Sequence, residues 1–223
     1  IGESAKVYVE KINIFGNNVT QENVIRNQFE LDEGDPFNEI LFNKSINNIK
    51  SLGFLKSINK KILDGYNVDS KIINISVEEK ATGEITASAG LGTSGGSIGF
   101  GVKENNFMGR GISLDSNVLI SGDSLKGKFG LTNPNYKNSD KSVYINAEIL
   151  ETDNFKTFGY KSDKKGFNIG TNFEYLDDFY LGIGSSNFYE VIETNSTASE
   201  SQQSQEGNYW DSFINLDFIY DKR

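Results

Sequence analysis

SIGFGVKENNFMGRGISLDSNVLIS, residues 97–121, holds two alternating runs around a polar turn. In the first, Ile98, Phe100 and Val102 alternate with Gly99, Gly101 and Lys103; in the second, Ile112, Leu114, Val118 and Ile120 alternate with Ser113, Asp115 and Asn117. Successive side chains of a strand point to opposite faces, so this period of two predicts two β-strands, each with one apolar face. The turn itself, Asn105, Asn106, Phe107, Met108, Gly109, Arg110 and Gly111, has two glycines for a tight reversal. Phe107 and Met108 are out of place in it unless something other than water lies alongside.

Working outward, the same period fills everything from Glu84 to the end: EITASAGLG, SLKGKFGLT, KSVYINAEILET, KGFNIGTNFEYL, DFYLGIGSSNFYEV and WDSFINLDFIY. That makes about eight strands of roughly 9 to 12 residues, close to what a tilted membrane-crossing strand needs and longer than the strands of soluble sheets. No run approaches the roughly 20 apolar residues of a transmembrane helix. A transmembrane β-barrel shows only half of each strand to lipid, so modest hydropathy is compatible with membrane insertion. Gly 23, Phe 16 and Tyr 10 against Pro 2 fit that composition.

A soluble β-sandwich also alternates. Three features weigh against it. Residues on the second face are charged (Lys126, Lys128, Asp115, Glu148, Glu174, Asp217), where a sandwich would need bulky apolar groups. Aromatic residues gather near strand ends (Phe107, Tyr136, Phe155, Tyr175, Phe179, Trp210, Tyr220), as in girdles at lipid headgroups. Long connections, FKTFGYKSDKK and ETNSTASESQQSQEGN, fall on one end of the sheet.

The first eighty residues differ. VYVEKINIFGN reads as a strand ending at Gly16-Asn17, Thr20 as the N-cap of a helix over QENVIRNQF, and Gly34 and Pro36 as its break. A second helix runs from about Asn38 with Ile40, Leu41, Ile46, Ile49 and Leu52 on its apolar face and Gly53 at its C′ position. FLKSINKKIL and KIINISVEE close the unit as a hairpin. The expected organisation is β-α-α-β-β over residues 1–81, then an all-β antiparallel transmembrane barrel portion over 82–223, incomplete as a barrel.

Absence of Cys and His removes disulfides, thiolate sites and any Ser-His-Asp arrangement. A net charge of -9 disfavours nucleic acid as a partner. Glu78-Glu79 and Asp177-Asp178 are neighbours that a strand would send to opposite faces, and read as linker and turn residues. Asp32, Glu33 and Asp35 lack calcium-loop spacing. The expectation is no enzyme, no catalytic residue, no metal and no cofactor. IGESAKVYVEK has neither an initiator Met nor a signal peptide, and the chain reads as an interior piece of something longer.

The Gly16-Asn17 turn, VIR with Arg26, EGDPFN, SLGF, VEEKATG, ENNFMGRG and TNPNY together resemble the BamA family of outer-membrane insertases of Gram-negative bacteria, at its last POTRA domain and the start of its barrel. The resemblance spans nearly the whole chain. It implies a barrel in the bacterial outer membrane, a POTRA domain in the periplasm, and ATP-independent folding of barrel clients into the membrane. Unfolded outer-membrane clients, accessory assembly lipoproteins and outer-membrane lipid would be the partners. Two strand edges would serve it. One is the POTRA edge Leu55, Lys56, Ser57, Ile58, Asn59, Lys60 and Lys61, whose lysines either meet acidic partners or protect the edge from aggregation. The other is the first barrel strand, Ile85, Thr86, Ala87, Ser88, Ala89, Gly90, Leu91 and Gly92, whose small side chains pack weakly and suit a lateral gate. The Asn105–Gly111 turn would be periplasmic, on the POTRA side, with Phe107 and Met108 at the membrane interface and Arg110 near headgroups. Two alternatives stand beside the insertase: a TamA-like or two-partner-secretion exporter or pore of the same superfamily, and a soluble β-rich binding module.

Overall fold

The computed structural model describes residues 6–92 and 95–222. They form two compact units: residues up to Thr82 together with Asn105–Gly111, and Gly83–Glu104 together with Ile112 onward.

In the first unit β1 (Tyr8–Phe15), α1 (Glu22–Arg26), α2 (Glu39–Ser51), β2 (Leu55–Asp64) and β3 (Ser70–Glu79) follow in the expected order. The sheet order is β1-β3-β2, with β3 parallel to β1 and antiparallel to β2. A bulge between Val9 and Lys11 resets the parity of β1, which lets both Val9 and Ile12 reach the core despite their odd spacing. They pack with Ile25, Leu31, Phe42, Ile46, Ile49, Ile73, Ile75 and Val77. Asn38 caps α2, accepting from the amides of Ile40 (2.9 Å) and Leu41 (3.3 Å), and Gly53 ends it at φ +76°.

Three expectations here are corrected. Thr20 does not cap α1: Gln21 is the N-cap, without a side-chain bond, and the helix is only five residues long. Ile40 and Leu41 are not core residues, being 78% and 36% exposed, whereas Phe42 is 1% exposed and is the largest fully buried side chain. Glu78 and Glu79 are strand residues of β3 with partners described below, not linker.

The second unit is one antiparallel sheet in sequence order: β4 (Gly83–Gly92), β5 (Gly95–Phe107), β6 (Ile112–Ser121), β7 (Ser124–Asn133), β8 (Ser142–Asn154), β9 (Tyr160–Leu176), β10 (Phe179–Thr194) and β11 (Gly207–Tyr220). β4 and β11 end the order. Two neighbouring strands exceed the expected length most: β9 has 17 residues and β10 has 16. Much of FKTFGYKSDKK is therefore strand, leaving only the turn α3 (Phe155–Phe158) as connection. The Ser/Gln-rich segment is also built: Ser199 caps the short helix α4 (Glu200–Gln203) in a capping box, and Asn195 donates from its backbone to Gly159 (2.9 Å) and from its side chain to Phe155 (3.3 Å). Of the thirteen buried apolar residues described, only Ile192 and Ala198 belong to this unit. A sandwich would bury one face of the sheet in its own core.

Candidate strand edges and the lipid-facing wall

One edge of the first sheet is closed. Along β1, Val9 donates to the Asp35 carbonyl (2.8 Å), Gly34 and Phe37 donate to the carbonyls of Val9 and Val7 (both 2.7 Å), and the Ile12 amide donates to the Glu33 carboxylate (2.9 Å). The Arg26 guanidinium donates to the Ile12 carbonyl (2.9 Å), while Glu22 pairs with it at 2.6 Å; the bond to Glu22, above all, raises the arginine pKa despite partial burial. The EGDPF segment thus lies along β1 as an edge cover.

The other edge, β2, has only β3 as neighbour in the sheet. Leu55, Ser57 and Ile58 are half-buried, and Lys56, Asn59, Lys60 and Lys61 are exposed. Two of the three lysines are engaged within the domain. Lys56 pairs with Glu78 at 2.6 Å, and that bond raises the lysine and lowers the glutamate pKa. Lys60 donates to the Asn43 side chain (2.8 Å) and lies 5.2 Å from the Phe42 ring centroid. Lys61 has no ion pair or hydrogen-bond partner among the described residues, so it is the one free to meet an acidic group.

At the edge of the second sheet every residue of β4 is exposed. Its register with β5 sets Ala87 against Phe100, Ala89 against Ile98 and Ile85 against Val102 on one face. On the other, Thr86 and Ser88 face Gly101 and Gly99, where a Cβ would approach each hydroxyl to 2.6 Å. Apart from Ile85 opposite Val102, each of these pairs has at most one large member, which leaves little side-chain contact to hold the rest of β4.

Register also sorts the wall into faces. Asp115, Lys126, Lys128, Glu148, Asn146, Asn168 and Asp217 share the polar face, where Asn146 donates to Asn168 (2.7 Å) and Asn215 to Ser186 (2.7 Å). Ile145, Ile149, Phe167, Ile169, Ile183 and Leu216 share the other and are 42–58% exposed. Two aromatic rows bound this apolar face: Phe179 with Phe218 and Tyr220, and Tyr189 with Trp210, their rings 6.2–6.3 Å apart where paired. Tyr189 lies ten residues beyond Phe179 along β10. At a rise of about 3.3 Å per residue and a tilt of about 40°, the rows stand roughly 25 Å apart, the height of an outer-membrane apolar band. Charges on this face begin at the upper row, where Lys165 lies opposite Tyr189 and pairs with Asp163 (3.0 Å). Polar groups within the band satisfy one another, as lipid demands: Ser212 donates to Asn187 (2.8 Å), Trp210 to Ser212 (3.0 Å) and Asn187 to Ser185 (3.2 Å). Among the described residues no helix is long and apolar enough to cross a membrane, which leaves crossing by strands untouched.

The Asn105–Gly111 turn is held by groups of the first unit. It clusters with the first unit, Asn106 is buried, and Phe107 is half-buried while Met108 is 69% exposed at φ +56°. Asn106 donates to the Thr20 hydroxyl (2.8 Å), and Thr20 in turn serves Glu79, whose carboxylate accepts from the amides of Val19 (2.9 Å) and Thr20 (2.7 Å). Burial pushes the Glu79 pKa up, but the bonds from the Thr20 hydroxyl and the backbone of Val19, Thr20 and Asn18 outweigh it, so the net shift is downward. A lowered folded-state pKa contributes stability above the unfolded value that is lost as pH falls through the folded one. Urea midpoints of the first unit are expected to fall on acidification through the carboxylate range, and to fall less in Glu79→Gln.

The POTRA family, described as a surface antigen variable number repeat, matches residues 7–80. The outer membrane protein assembly factor BamA of Neorickettsia risticii is 30% identical over 211 residues, covering 92% of this chain, and that of Neisseria meningitidis is 28% identical over 58% of it. The chain spans 28% and 16% of those proteins' lengths. Among solved structures, BamA from Haemophilus ducreyi lacking POTRA domains 1-3 shares the fold with a TM-score of 0.73 over 95% of this chain and 42% of its own, at 23% identity. CdiB from Escherichia coli shares it at 0.59 and 11% identity, over 98% of this chain and 43% of its own.

Fold, edges and wall together define a POTRA domain joined to a transmembrane β-barrel sheet. The chain belongs to the BamA family of outer-membrane assembly factors, with its barrel strands in the outer membrane and its POTRA domain in the periplasm.

Proposed function

We propose that this chain helps insert and fold β-barrel proteins into the outer membrane by offering strand edges to incoming client strands, without an enzymatic step or a cofactor. The observation that carries this reading is the pairing of two open edges, β2 and β4, with cover on β1. An open edge presents unpaired amides and carbonyls to an extended chain, and backbone bonding accepts many sequences. The small side chains of β4 make its own pairing cheap to exchange. Accessory lipoproteins and outer-membrane lipid are the further partners proposed.

The test is reconstitution of the full-length protein in liposomes with a denatured barrel client. Accelerated client folding is expected. Ala87→Val with Ala89→Val should slow it, because each improved cross-strand pair adds about 0.2–1 kcal/mol and two make opening of β4 roughly two- to thirtyfold rarer. Conductance without acceleration would instead favour an exporter or pore. A chain extracted without detergent would point to a soluble binding module.

A further inference from the structure

We infer that the first unit contains a built receptor for the turn Asn106-x-x-Gly109-x-Gly111, and that Asn106 is the residue that positions this turn. The receptor is the loop Asn17–Gln21 backed by Glu79 on β3.

Its geometry is that of a bound peptide turn. The Gln21 amide donates to the Gly109 carbonyl at 2.8 Å, and the Asn106 side chain donates to the Thr20 hydroxyl at 2.8 Å. The same Asn106 amide group accepts from Gly111 at 2.7 Å, so one side chain both shapes the turn and holds it. Thr20 and Asn106 are 2% and 5% exposed, yet both find partners, as buried polar groups must. Gly109 sits at φ +70°, and a Cβ on it would stand 2.0 Å from the Val19 carbonyl oxygen; Gly111 sits at φ +65° with the Val24 side chain 3.0 Å from where a Cβ would be. Both glycines are therefore required by contact as well as by backbone conformation. Met108, between these anchors, is exposed and makes no part of the fit.

The consequence is that the first unit is assembled from two separate stretches of chain, residues 6–82 and Asn105–Gly111. Thr20, freed from capping α1, is used as the bridge between Glu79 and Asn106.

Amide hydrogen exchange on the whole chain in detergent or bilayers tests this without any client, so its outcome is independent of the insertase reading. In the wild type, the Gln21 and Gly111 amides should be protected. Asn106→Ala should speed both about tenfold or more, since a buried bond and its partner are lost together. Gly109→Ala should speed Gln21 likewise, whereas Met108→Ala should leave both within about twofold. Should Asn106→Ala prove poorly folded, Thr20→Val supplies the same reading, speeding Gln21 while Gly111 keeps its bond to Asn106. The inference is overturned if Gln21 stays protected in Asn106→Ala and Gly109→Ala while Gly111 alone accelerates, because the turn would then be ordered by itself and bound to nothing.

Discussion

Arginine at Ile183 is expected to destabilise the bilayer-embedded protein by about 2–4 kcal/mol, the cost of a cation at the midplane of a barrel's lipid face. Ile183 is four residues above Phe179 and six below Tyr189, close to midway between the aromatic rows. It is 42% exposed and flanked across the ladder by Thr171 and Leu216. No described ionisable side chain shares its face within the band, so the guanidinium would find no carboxylate and would have to draw water or snorkel. Asn215→Lys, one residue off on the polar face, loses only the bond to Ser186 and should cost about 1 kcal/mol. Urea unfolding in lipid vesicles measures both; equal costs would contradict the assignment of faces.

Phe42→Ala is expected to cost about 3–5 kcal/mol, enough to unfold a marginal domain of this size. The ring is 1% exposed, lies 5.9 Å from Phe37, and forms the floor beneath Lys60 at 5.2 Å. Removing it opens a cavity between α2 and the sheet that neither element can collapse to fill, since Ile46 and Ile49 already occupy the same helix face. Near-ultraviolet circular dichroism and the urea midpoint of the first unit report the loss. Ile40→Ala, two positions away but 78% exposed, should shift the midpoint by less than about 0.5 kcal/mol. A comparable loss in both would mean that α2 is rotated from its observed setting.

The contrast between those two helix positions shows where sequence reading stopped. Spacing alone marks α2 and its apolar stripe, but Ile40 and Phe42 differ by 200° around the helix, and only the position of the sheet decides which is covered. On β1 the bulge at Glu10 breaks strict alternation, and only the register with β3 shows how Val9 and Ile12 share the buried face. Two strands also run past their sequence-read ends: Lys161, Asp163 and Lys165 read as loop but continue β9, and Glu193 and Thr194 read as loop but continue β10. Among the edge lysines, sequence could name three but could not tell that Lys56 and Lys60 are held within the domain.

By itself the sequence determined the order of elements, the all-β character after Glu84 and the division of each strand into a polar and an apolar face, because periodicity is a local property that backbone geometry imposes residue by residue. Only the tertiary structure decided that the EGDPF segment covers β1, that Lys56 and Lys60 are held within the domain, and that Asn106 reaches Thr20 across 86 positions of chain. These depend on which distant segments come to lie together, and no local pattern encodes the partner of a hydrogen bond formed between them.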